Sequence, residues 1–445
     1  MNWSGTALTL LILLWGQQAV AQQDSDLKSM VVVRRIEGSA SRAYWTDNAS
    51  ILLDGGKVRT MKWFAKPQES EEVTGFSSDR LIEYNRASDL LLLSSLNLDT
   101  LGQYQISARN LIARGRASPL ISGEPVIIHM ASCDIATKSG RVAVGFLRHL
   151  DLKKGRVLGS ISVWDKGFVK PLFTKEGFSV VSDVALTGDG DRVAVLDGAR
   201  FHVFTVATGE SLKAPASLDA SQIAFSPDGK VLAVVRKNEV RLYDTQSWKE
   251  LRAFKGHTAP IQSAFWSEDG NWFITASEDK SATVWNAGTG KAEVVLRAHS
   301  AEVRFASIAP DGRHVMTVSK DGTIWIWGPE SEALEMSLLQ ARWDYDAKNY
   351  AAALAGFKKV MDAQQGKPGD RLRLLAGSAA YASACVHALQ KRRGDALKLL
   401  EKAAELGVLV EKDSCHGTVR EHMLQDPDLA SLRDEARFKT LAKSP

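Results

Sequence analysis

Histidine, hydroxyl and aspartate side chains occur together twice between Gly256 and Trp327, and these residue types can serve as acid, base or nucleophile in catalysis. A catalytic group needs a cleft that admits a substrate, whereas these residues accompany alternating apolar runs and are expected to point between strands. We therefore interpret both groups as structural. They contain His257, Thr275 or Ser277, Asp279 and Trp285, and His299, Thr317 or Ser319, Asp321 and Trp327.

The elements that must position these groups recur at a fixed interval. Gly270 and Gly312 lie 42 residues apart, as do Asp279 and Asp321, and each of the two glycines follows an aspartate between alternating apolar runs. Alternation with a period of two predicts half-buried β-strands, and an Asp-Gly pair predicts a tight turn between them. A repeat of about 40 residues with such strands is typical of four-stranded propeller blades.

The same landmarks resemble the WD-repeat family. In that family a His before the first strand, a hydroxyl on the second, an Asp in the next turn and a Trp on the third form a buried hydrogen-bonded set. The resemblance assigns this structural role to the two groups above. Earlier in the chain, Trp164 and Asp165 keep the Trp-Asp pair. In Phe201–Phe204 and Val240–Asp244 a smaller aromatic residue replaces the Trp, and the opening His is missing.

The spacing of the turns predicts the bounds of the β domain. Seven units fit over residues 30–328, so we expect an all-β seven-bladed propeller there. The strand at 30–38 is expected to become the outer strand of the last blade, which removes an exposed edge. An insertion in the third unit has a basic tip at Lys153, Lys154 and Arg156, which is either a solvated hairpin end or a contact loop.

Residues 1–21 predict a cleavable export signal. They contain no charged side chain, Ala7–Trp15 is apolar, and Ala19–Ala21 has the small residues of a cleavage site. The apolar run is shorter than a membrane-spanning helix, so we expect a periplasmic or extracellular protein with no stable span after cleavage. A signal-anchored protein is the alternative, because basic residues near Met1 are missing. Residues 22–29 are polar and are expected to form a flexible lead.

After the last tryptophan the spacing of apolar residues changes to three and four, which predicts an all-α domain over residues 331–445. The stretch Tyr381–Gly407 resembles a tetratricopeptide repeat, with small Ala384 and Ala388 where two helices would approach. This resemblance implies a binding groove on one face of the helices. Asp426–Leu441 resembles the short closing segment that follows such repeats in bacterial proteins.

Motifs for catalysis, cofactors and metals are incomplete in this sequence. Gly288–Lys291 lacks the other residues of a phosphate-binding loop, and Gly188–Asp191 lacks the later ligands of a calcium loop. The three cysteines do not form a disulfide framework; Cys385 either pairs with Cys415 or fills a buried apolar position. The 56 basic and 52 acidic residues are not clustered into a basic patch, which argues against a nucleic-acid partner.

The two resemblances together imply an exported, non-catalytic scaffold that binds other proteins through the propeller faces and the helical groove. Two linked modules hold two ligands, or two parts of one ligand, at a high effective concentration. An alternative of another class is an envelope enzyme or small-ligand binder that uses the axial channel, and polar residues with shifted pKa values there would favour it. We expect no cofactor and no metal, and the sequence does not identify the partner.

Overall fold

The computed structural model describes residues 30–37, 40, 42–45, 50–54, 58–62, 71–72, 80–85, 90–94, 101–107, 110–117, 127–151, 156–165, 171–363, 370–407, 412–413, 417–418 and 423–443. Contacts between residues divide the chain into two compact units. The sheet unit comprises Arg34–Trp327, and the helical unit includes Gly328–Pro445. The predicted signal and lead, residues 1–29, lie outside the described residues.

The sheet unit is built from short strands, and Val, Ile, Leu and aromatic side chains supply most of its buried surface. The strands are β1 Met30–Glu37, β2 Arg42–Trp45, β3 Ser50–Asp54, β4 Val58–Lys62, β5 Glu71–Glu72, β6 Arg80–Asn85, β7 Leu90–Ser94, β8 Leu101–Ser107, β9 Asn110–Ala117, β10 Ile127–Ile135, β11 Val142–Asp151, β12 Arg156–Trp164, β13 Pro171–Phe178, β14 Val181–Leu186, β15 Arg192–Asp197, β16 Arg200–Thr205, β17 Gln222–Phe225, β18 Val231–Arg236, β19 Glu239–Asp244, β20 Glu250–Lys255, β21 Ile261–Trp266, β22 Trp272–Ser277, β23 Ser281–Asn286, β24 Ala292–Arg297, β25 Val303–Ile308, β26 Val315–Ser319 and β27 Thr323–Pro329.

Strands that follow one another in the sequence pair in successive sheets. Within the described residues, β2–β5, β6–β9, β10–β13, β17–β20 and β21–β24 each form a four-stranded sheet. The last sheet has the order β1-β27-β26-β25, so the N-terminal strand is its outer strand. The first strands of successive sheets contact one another from β6 through β10, β14, β17 and β21 to β25, and β25 also contacts β2.

The second strands of the later sheets are the most deeply buried. Val193–Leu196 and Leu232–Val235 are at most 1% exposed, and both are continuous apolar runs, as expected for strands that are covered on both faces. The fourth strands β20 and β24 contain the exposed side chains Leu251 and Val295. The core of the later sheets is therefore densest at their second strands.

A β-bulge recurs beside the aromatic residue at the end of the third strand. The register between third and fourth strands shifts at Trp164, Tyr243 and Trp285. The pair β8–β9 has the same shift at Tyr104. A bulge places two residues opposite one and increases the local twist of the strand. The register therefore identifies Tyr104 as the counterpart of Trp285 in an early sheet whose sequence has lost the Trp.

The sheet β14–β16 has three strands, and the fourth strand that the repeat predicts is not formed there. The N–H of Leu212 donates to the carbonyl of Val203, and the N–H of Phe201 donates to the carbonyl of Ala216, so the next segment meets β16 only at separate points. Pro215 lies between these points. Because proline has no N–H to donate, it interrupts regular pairing.

The helical unit contains α1 Glu330–Asp346, α2 Tyr350–Ala363, α3 Asp370–Leu389, α4 Arg393–Glu405, β28 Lys412–Asp413, β29 Gly417–Thr418, a 3-10 helix Pro427–Leu432 and α5 Ala436–Lys443. The first four helices pack in sequence order, α1 on α2, α2 on α3 and α3 on α4. Ala384 and Ala388 are 0% and 2% exposed, so these small residues of α3 lie in the core. Leu372–Leu389 is long and apolar enough to cross a membrane by length and composition, but 56% of it is buried within the protein, as in a core helix.

Candidate interaction face

The first histidine group forms a chain of buried hydrogen bonds. His257 Nδ1 lies 2.8 Å from Asp279 Oδ2, and His257 Nε2 lies 2.7 Å from Thr275 Oγ1. Trp285 Nε1 donates to the same hydroxyl oxygen at 2.9 Å. The imidazole, the hydroxyl, the carboxylate and the indole therefore satisfy one another, which offsets the free-energy cost of burying them.

The second histidine group repeats this geometry. His299 Nδ1 lies 2.9 Å from Asp321 Oδ2, and His299 Nε2 lies 2.8 Å from Thr317 Oγ1. Trp327 Nε1 donates to Thr317 Oγ1 at 2.9 Å. The other oxygen of Asp321 accepts the backbone N–H and the hydroxyl of Thr323 at 3.0 and 2.5 Å. Two successive sheets thus contain the same internal hydrogen-bond set.

The hydroxyl that joins His to Trp belongs to Thr275 and Thr317, and not to Ser277 and Ser319. Residues two apart on a strand share a face, so spacing alone does not distinguish the two hydroxyls. The serines lie beside the sets: the Ser277 hydroxyl donates to the carbonyl oxygens of residues 259 and 260 and accepts the N–H of Asp279. Ser319 makes the equivalent three contacts.

The electrostatics of the sets agree with a structural role. Burial opposes ionisation of Asp321, but hydrogen bonds from Thr323 and His299 outweigh it and lower the pKa of Asp321 to about 2. Burial lowers the pKa of the His299 imidazole. A hydroxyl, an imidazole and a carboxylate in this order resemble a nucleophilic triad. However, Thr317 is fully buried and also accepts the Trp327 indole N–H, so a substrate does not reach it.

The sets fix two chain segments against each other at one end of each of the last two sheets. Asp279 accepts the N–H of Thr258, and Asp321 accepts the N–H of Ser300, both at 3.0 Å. The segment that leads into the first strand is therefore tied to the hairpin between the second and third strands. The exposed surface of these segments is here termed the loop face. It comprises residues 257–262, 277–281, 299–304 and 319–323.

The exposed side chains of the loop face are mostly polar or charged. Gln262 Nε2 donates to Glu278 Oε1 at 2.7 Å, and Glu302 contacts both Lys320 and Arg304. The side chains of Arg304 and Lys320 are each 44% exposed. Gln262 and Arg304 are the bulge residues of β21 and β25, and a bulge can re-aim a side chain. The hydrogen-bonded segments thus present polar side chains and charges of both signs at their surface. Such a composition is typical of the rim of protein interfaces.

The sheet β14–β16 has no histidine set, and Asp197 replaces part of it. The carboxylate of Asp197 accepts the N–H groups of Ser179 and Val180 at 2.7 and 2.8 Å. Asp197 pairs with Val181 at the start of β14, and Ser277 pairs in the same way with Ile261 at the start of β21. The segment before the first strand is therefore tied to the end of the second strand in this sheet too, by a carboxylate that accepts backbone N–H groups and not by a histidine set. Asp197 is not among the residues predicted from the sequence, although an aspartate at the end of an apolar strand is a usable signal.

Two further carboxylates link the first strands of neighbouring sheets. Asp134 accepts the N–H of Leu186 at 2.6 Å, and Asp183 accepts the N–H of Ile223 at 2.8 Å and the hydroxyl of Ser132 at 2.5 Å. Burial raises the pKa of each of these aspartates to about 6, against the effect of their hydrogen-bond donors. Because their oxygens already accept protein donors, these carboxylates serve as connections between sheets.

The remaining predicted residues do not join a common site. Trp164 is buried and meets Phe146 edge to face with ring centroids 6.0 Å apart, while Asp165 is exposed after β12. Lys153 and Lys154 lie outside the described residues, and Arg156 begins β12, with its side chain also outside them. The basic tip thus belongs to the connection between β11 and β12.

Gly188–Asp191 forms the turn between β14 and β15, and Gly288–Lys291 lies between β23 and β24, so neither is a ligand loop. Cys385 is buried with a free thiol, whereas Cys415 lies outside the described residues. Within the part of the chain that the structure describes, no group of three or more His, Cys, Asp or Glu residues is placed to hold a metal ion.

One known family matches the part of the chain that contains the two histidine groups. The sequence profile of the family "WD domain, G-beta repeat" matches residues 248–286 and 290–328. The first range contains the His257 set, and the second contains the His299 set. The chain therefore contains two WD40 repeats at the end of its sheet unit.

Several known proteins are similar to part of this chain. They include the Intraflagellar transport protein 122 homolog of Xenopus tropicalis, 36% identical over 75 residues, or 17% of this chain and 6% of that protein. The Target of rapamycin complex subunit wat1 of Schizosaccharomyces pombe is 38% identical over 73 residues, or 16% and 23%. The COMPASS component SWD3 of Saccharomyces cerevisiae is 26% identical over 126 residues, or 28% and 40%. The chain covers less than half the length of each relative.

Proposed function

We propose, from the WD40 repeats that this chain contains, that it is a non-catalytic scaffold that binds other proteins. The supporting observation is the loop face, where hydrogen-bonded sets hold exposed polar side chains on a rigid support. Two relatives, the rapamycin complex subunit and the COMPASS component, are by their names parts of complexes. Their own partners are not transferred to this chain, because fold and repeat type do not specify a ligand.

The proposal includes a seven-bladed ring and an exported, bacterial-type protein. Successive contacts between first strands, together with the contact between β25 and β2, support the ring, and β1 would fasten it as the outer strand of the last sheet. The helical unit is proposed to be tetratricopeptide-like and to supply a second binding surface. The charge-free, apolar start of the sequence supports export, with cleavage before Gln22. Neither a nucleic-acid partner nor a retained membrane span is part of the proposal.

A pair of charge reversals tests the loop face. The double variant Arg304→Glu and Lys320→Glu changes two exposed side chains of this face. The matched control, Lys249→Glu and Lys291→Glu, makes the same change in net charge at exposed positions just before β20 and β24, at the opposite end of the sheets. Crosslinked partners captured from an envelope extract of the source organism are quantified by mass spectrometry for the three proteins.

We expect a stoichiometric partner that the unchanged chain and the control both retain and that the loop-face variant loses, because rim charges set association rate and specificity. Equal retention by the loop-face variant, or equal loss by the control, would remove the loop face from the proposal. If the unchanged chain captures no protein at all, the scaffold proposal fails.

A small-ligand binder or enzyme that uses the axial channel is the second candidate. The raised pKa values of Asp134 and Asp183 on neighbouring first strands favour it. Against it, these carboxylates accept backbone N–H groups of the adjacent sheets and so have little capacity left for a ligand. A thermal-shift screen of small amines against the unchanged chain and Asp183→Asn separates the candidates, because a channel ligand would stabilise only the former.

A further inference from the structure

One face of the helical unit directs hydrogen-bond donors from two helices toward the carboxylates of a later segment. Tyr345, at the end of α1, donates its hydroxyl hydrogen to Asp428. Tyr381 on α3 donates to Asp426 Oδ2 at 2.8 Å, and the Cys385 thiol lies 3.7 Å from the same oxygen. Tyr345, Tyr381 and Cys385 are here termed the tyrosine face.

The tyrosine face is chemically suited to a carboxylate. Burial is the largest cause that raises the pKa of both phenols and of the Cys385 thiol, so all three groups keep their protons and donate. The guanidinium of Arg342 lies 4.8 Å from the ring centroid of Tyr345, which adds a positive charge beside the face. Hydrogen bonds to an ionised acceptor are stronger than those between neutral groups.

The segment on this face is Asp426–Leu432, which forms a 3-10 helix after Asp426. The other oxygen of Asp426 accepts the N–H of Asp428 at 2.9 Å, so the segment is shaped by its own first carboxylate. Leu429 and Leu432 are fully buried in the helical core. The bound sequence therefore consists of two carboxylates, two residues apart, followed by an apolar anchor.

A segment that only covered apolar surface would need the leucines and not the carboxylates. Asp426 is 7% exposed, and burying a carboxylate costs free energy unless donors receive it. Here the donors come from separate helices, and the partners lie 45 and 83 residues apart in the sequence. The contact thus joins donors from two helices to carboxylates that are distant in the sequence.

We infer that the tyrosine face is a binding site for an acidic protein segment and that Asp426–Leu432 occupies it as a ligand from the same chain. The inference deepens the proposed function, because it assigns a chemistry to the second binding surface and rests on the scaffold proposal for its biological use. A partner would present two carboxylates, two residues apart, with a leucine directly after the second. The tethered segment has a high effective concentration, so an external segment must displace it.

The experiment uses a fluorescent peptide of residues 423–434 and fluorescence anisotropy with the full chain. The unchanged chain is compared with the double variant Asp426→Asn and Asp428→Asn, which weakens the resident segment and leaves the tyrosine face intact. The matched control is Asp434→Asn with Glu435→Gln, two acids beyond the bound segment. A second peptide carries asparagine at both recognised positions.

We expect the acidic peptide to bind the Asp426/Asp428 variant at least tenfold more tightly than the unchanged chain or the control variant. The asparagine peptide should bind that variant at least tenfold more weakly than the acidic peptide. If the variant keeps its helical circular dichroism and binds neither peptide, or binds both equally, the inference is overturned.

Hydrogen exchange of the unchanged chain decides the matter if the double variant does not fold. An exchangeable ligand opens locally, so the amides of Asp428 and Leu429 should exchange at least tenfold faster than those of the buried part of α3. Exchange of both regions at the same rate would mean that the segment leaves only when the helical unit unfolds, which contradicts the inference. Failure of the loop-face charge reversals does not affect either result, so the two proposals are tested separately.

Discussion

Replacing Thr275 with valine removes one hydroxyl and keeps the shape of the side chain, so it isolates the hydrogen-bond set from packing. His257 Nε2 and Trp285 Nε1 would both lose their partner. His257 is 4% exposed and Trp285 is 2% exposed, so water does not replace the hydroxyl. A buried polar group without a partner costs about 1–3 kcal/mol, and two such groups predict a loss of about 2–6 kcal/mol.

Two single changes provide the comparison. Thr275→Ser keeps the hydroxyl and removes one methyl group, for which we expect a loss of about 1 kcal/mol. Ser277→Ala removes the hydrogen bonds to the carbonyls of residues 259 and 260 and the acceptor of the Asp279 N–H, but it keeps the side-chain contacts among His257, Thr275, Asp279 and Trp285, and about 1 kcal/mol is expected. The expected order is therefore a large effect for valine at 275 and two smaller effects of similar size.

Urea unfolding should be followed by tryptophan fluorescence, which reports mainly on the sheet unit because Trp343 is the one tryptophan between Gly328 and Pro445, and by circular dichroism at helical wavelengths for the helical unit. Both signals are needed because two units need not unfold together. Hydrogen exchange of peptides that cover β22 and β23 then locates the change. Thr317→Val should repeat the result in the last sheet. The assignment of the threonine is refuted if Ser277→Ala destabilises as much as Thr275→Val, or if Thr275→Ser does.

The remaining predictions concern charges and backbone conformation. The pKa of Asp183 is raised to about 6 in the folded chain, so the folded state holds this proton more tightly than the unfolded state does. The resulting contribution to the free energy of unfolding is fully present below about pH 4 and is lost as the pH rises through 6. Asp183→Asn should therefore remove a difference on the order of 1–3 kcal/mol between the free energies of unfolding at pH 4.5 and pH 7.5, measured by urea unfolding. The control Asp165→Asn, at an exposed position, should show the same pH dependence as the unchanged chain. The prediction is contradicted if the stability of Asp183→Asn varies with pH in parallel with that of the unchanged chain. Lys280 has φ 69°, and the equivalent residue of the last sheet is Gly322 at φ 80°, so both adopt the left-handed conformation that favours glycine. Lys280→Gly should therefore raise the stability by about 0.5–1 kcal/mol, and Gly322→Lys should lower it. A lower melting temperature for Lys280→Gly would show that the backbone at Lys280 is not strained. Asp197→Ala leaves two N–H groups without their acceptor and should cost about 2–4 kcal/mol, with Asp197→Asn intermediate, whereas unchanged melting would mean that water satisfies them.

Local patterns explain why the last two sheets were the most predictable part of the chain. Alternating apolar residues and Asp-Gly turns indicate strands and hairpins directly, and each His meets its Asp 22 residues later within one repeat. The choice between Thr275 and Ser277 could not be made, because both point to the same face of β22 and only the position of the Trp285 indole separates them.

Contacts between repeats were not predictable from the sequence. Asp183 meets partners 40 and 51 residues away on two neighbouring strands, and its role depends on how the sheets pack. The tyrosine face depends on an even larger separation, 83 residues between Tyr345 and Asp428. The missing fourth strand after β16 had a local sign in Pro215, but its effect depends on which N–H the pairing requires.

The position of β1 beside β27 has a consequence for biogenesis. The ribosome makes Met30–Glu37 first, and its neighbour Thr323–Pro329 nearly 300 residues later. Bringing these strands together closes a loop whose entropy cost is about 5 kcal/mol, compared with about 1 kcal/mol for a four-residue hairpin. The last sheet therefore completes only after the whole β region has been made, and until then the backbone N–H and C=O groups of β1 lack their partners on β27 and are open to pairing with other chains.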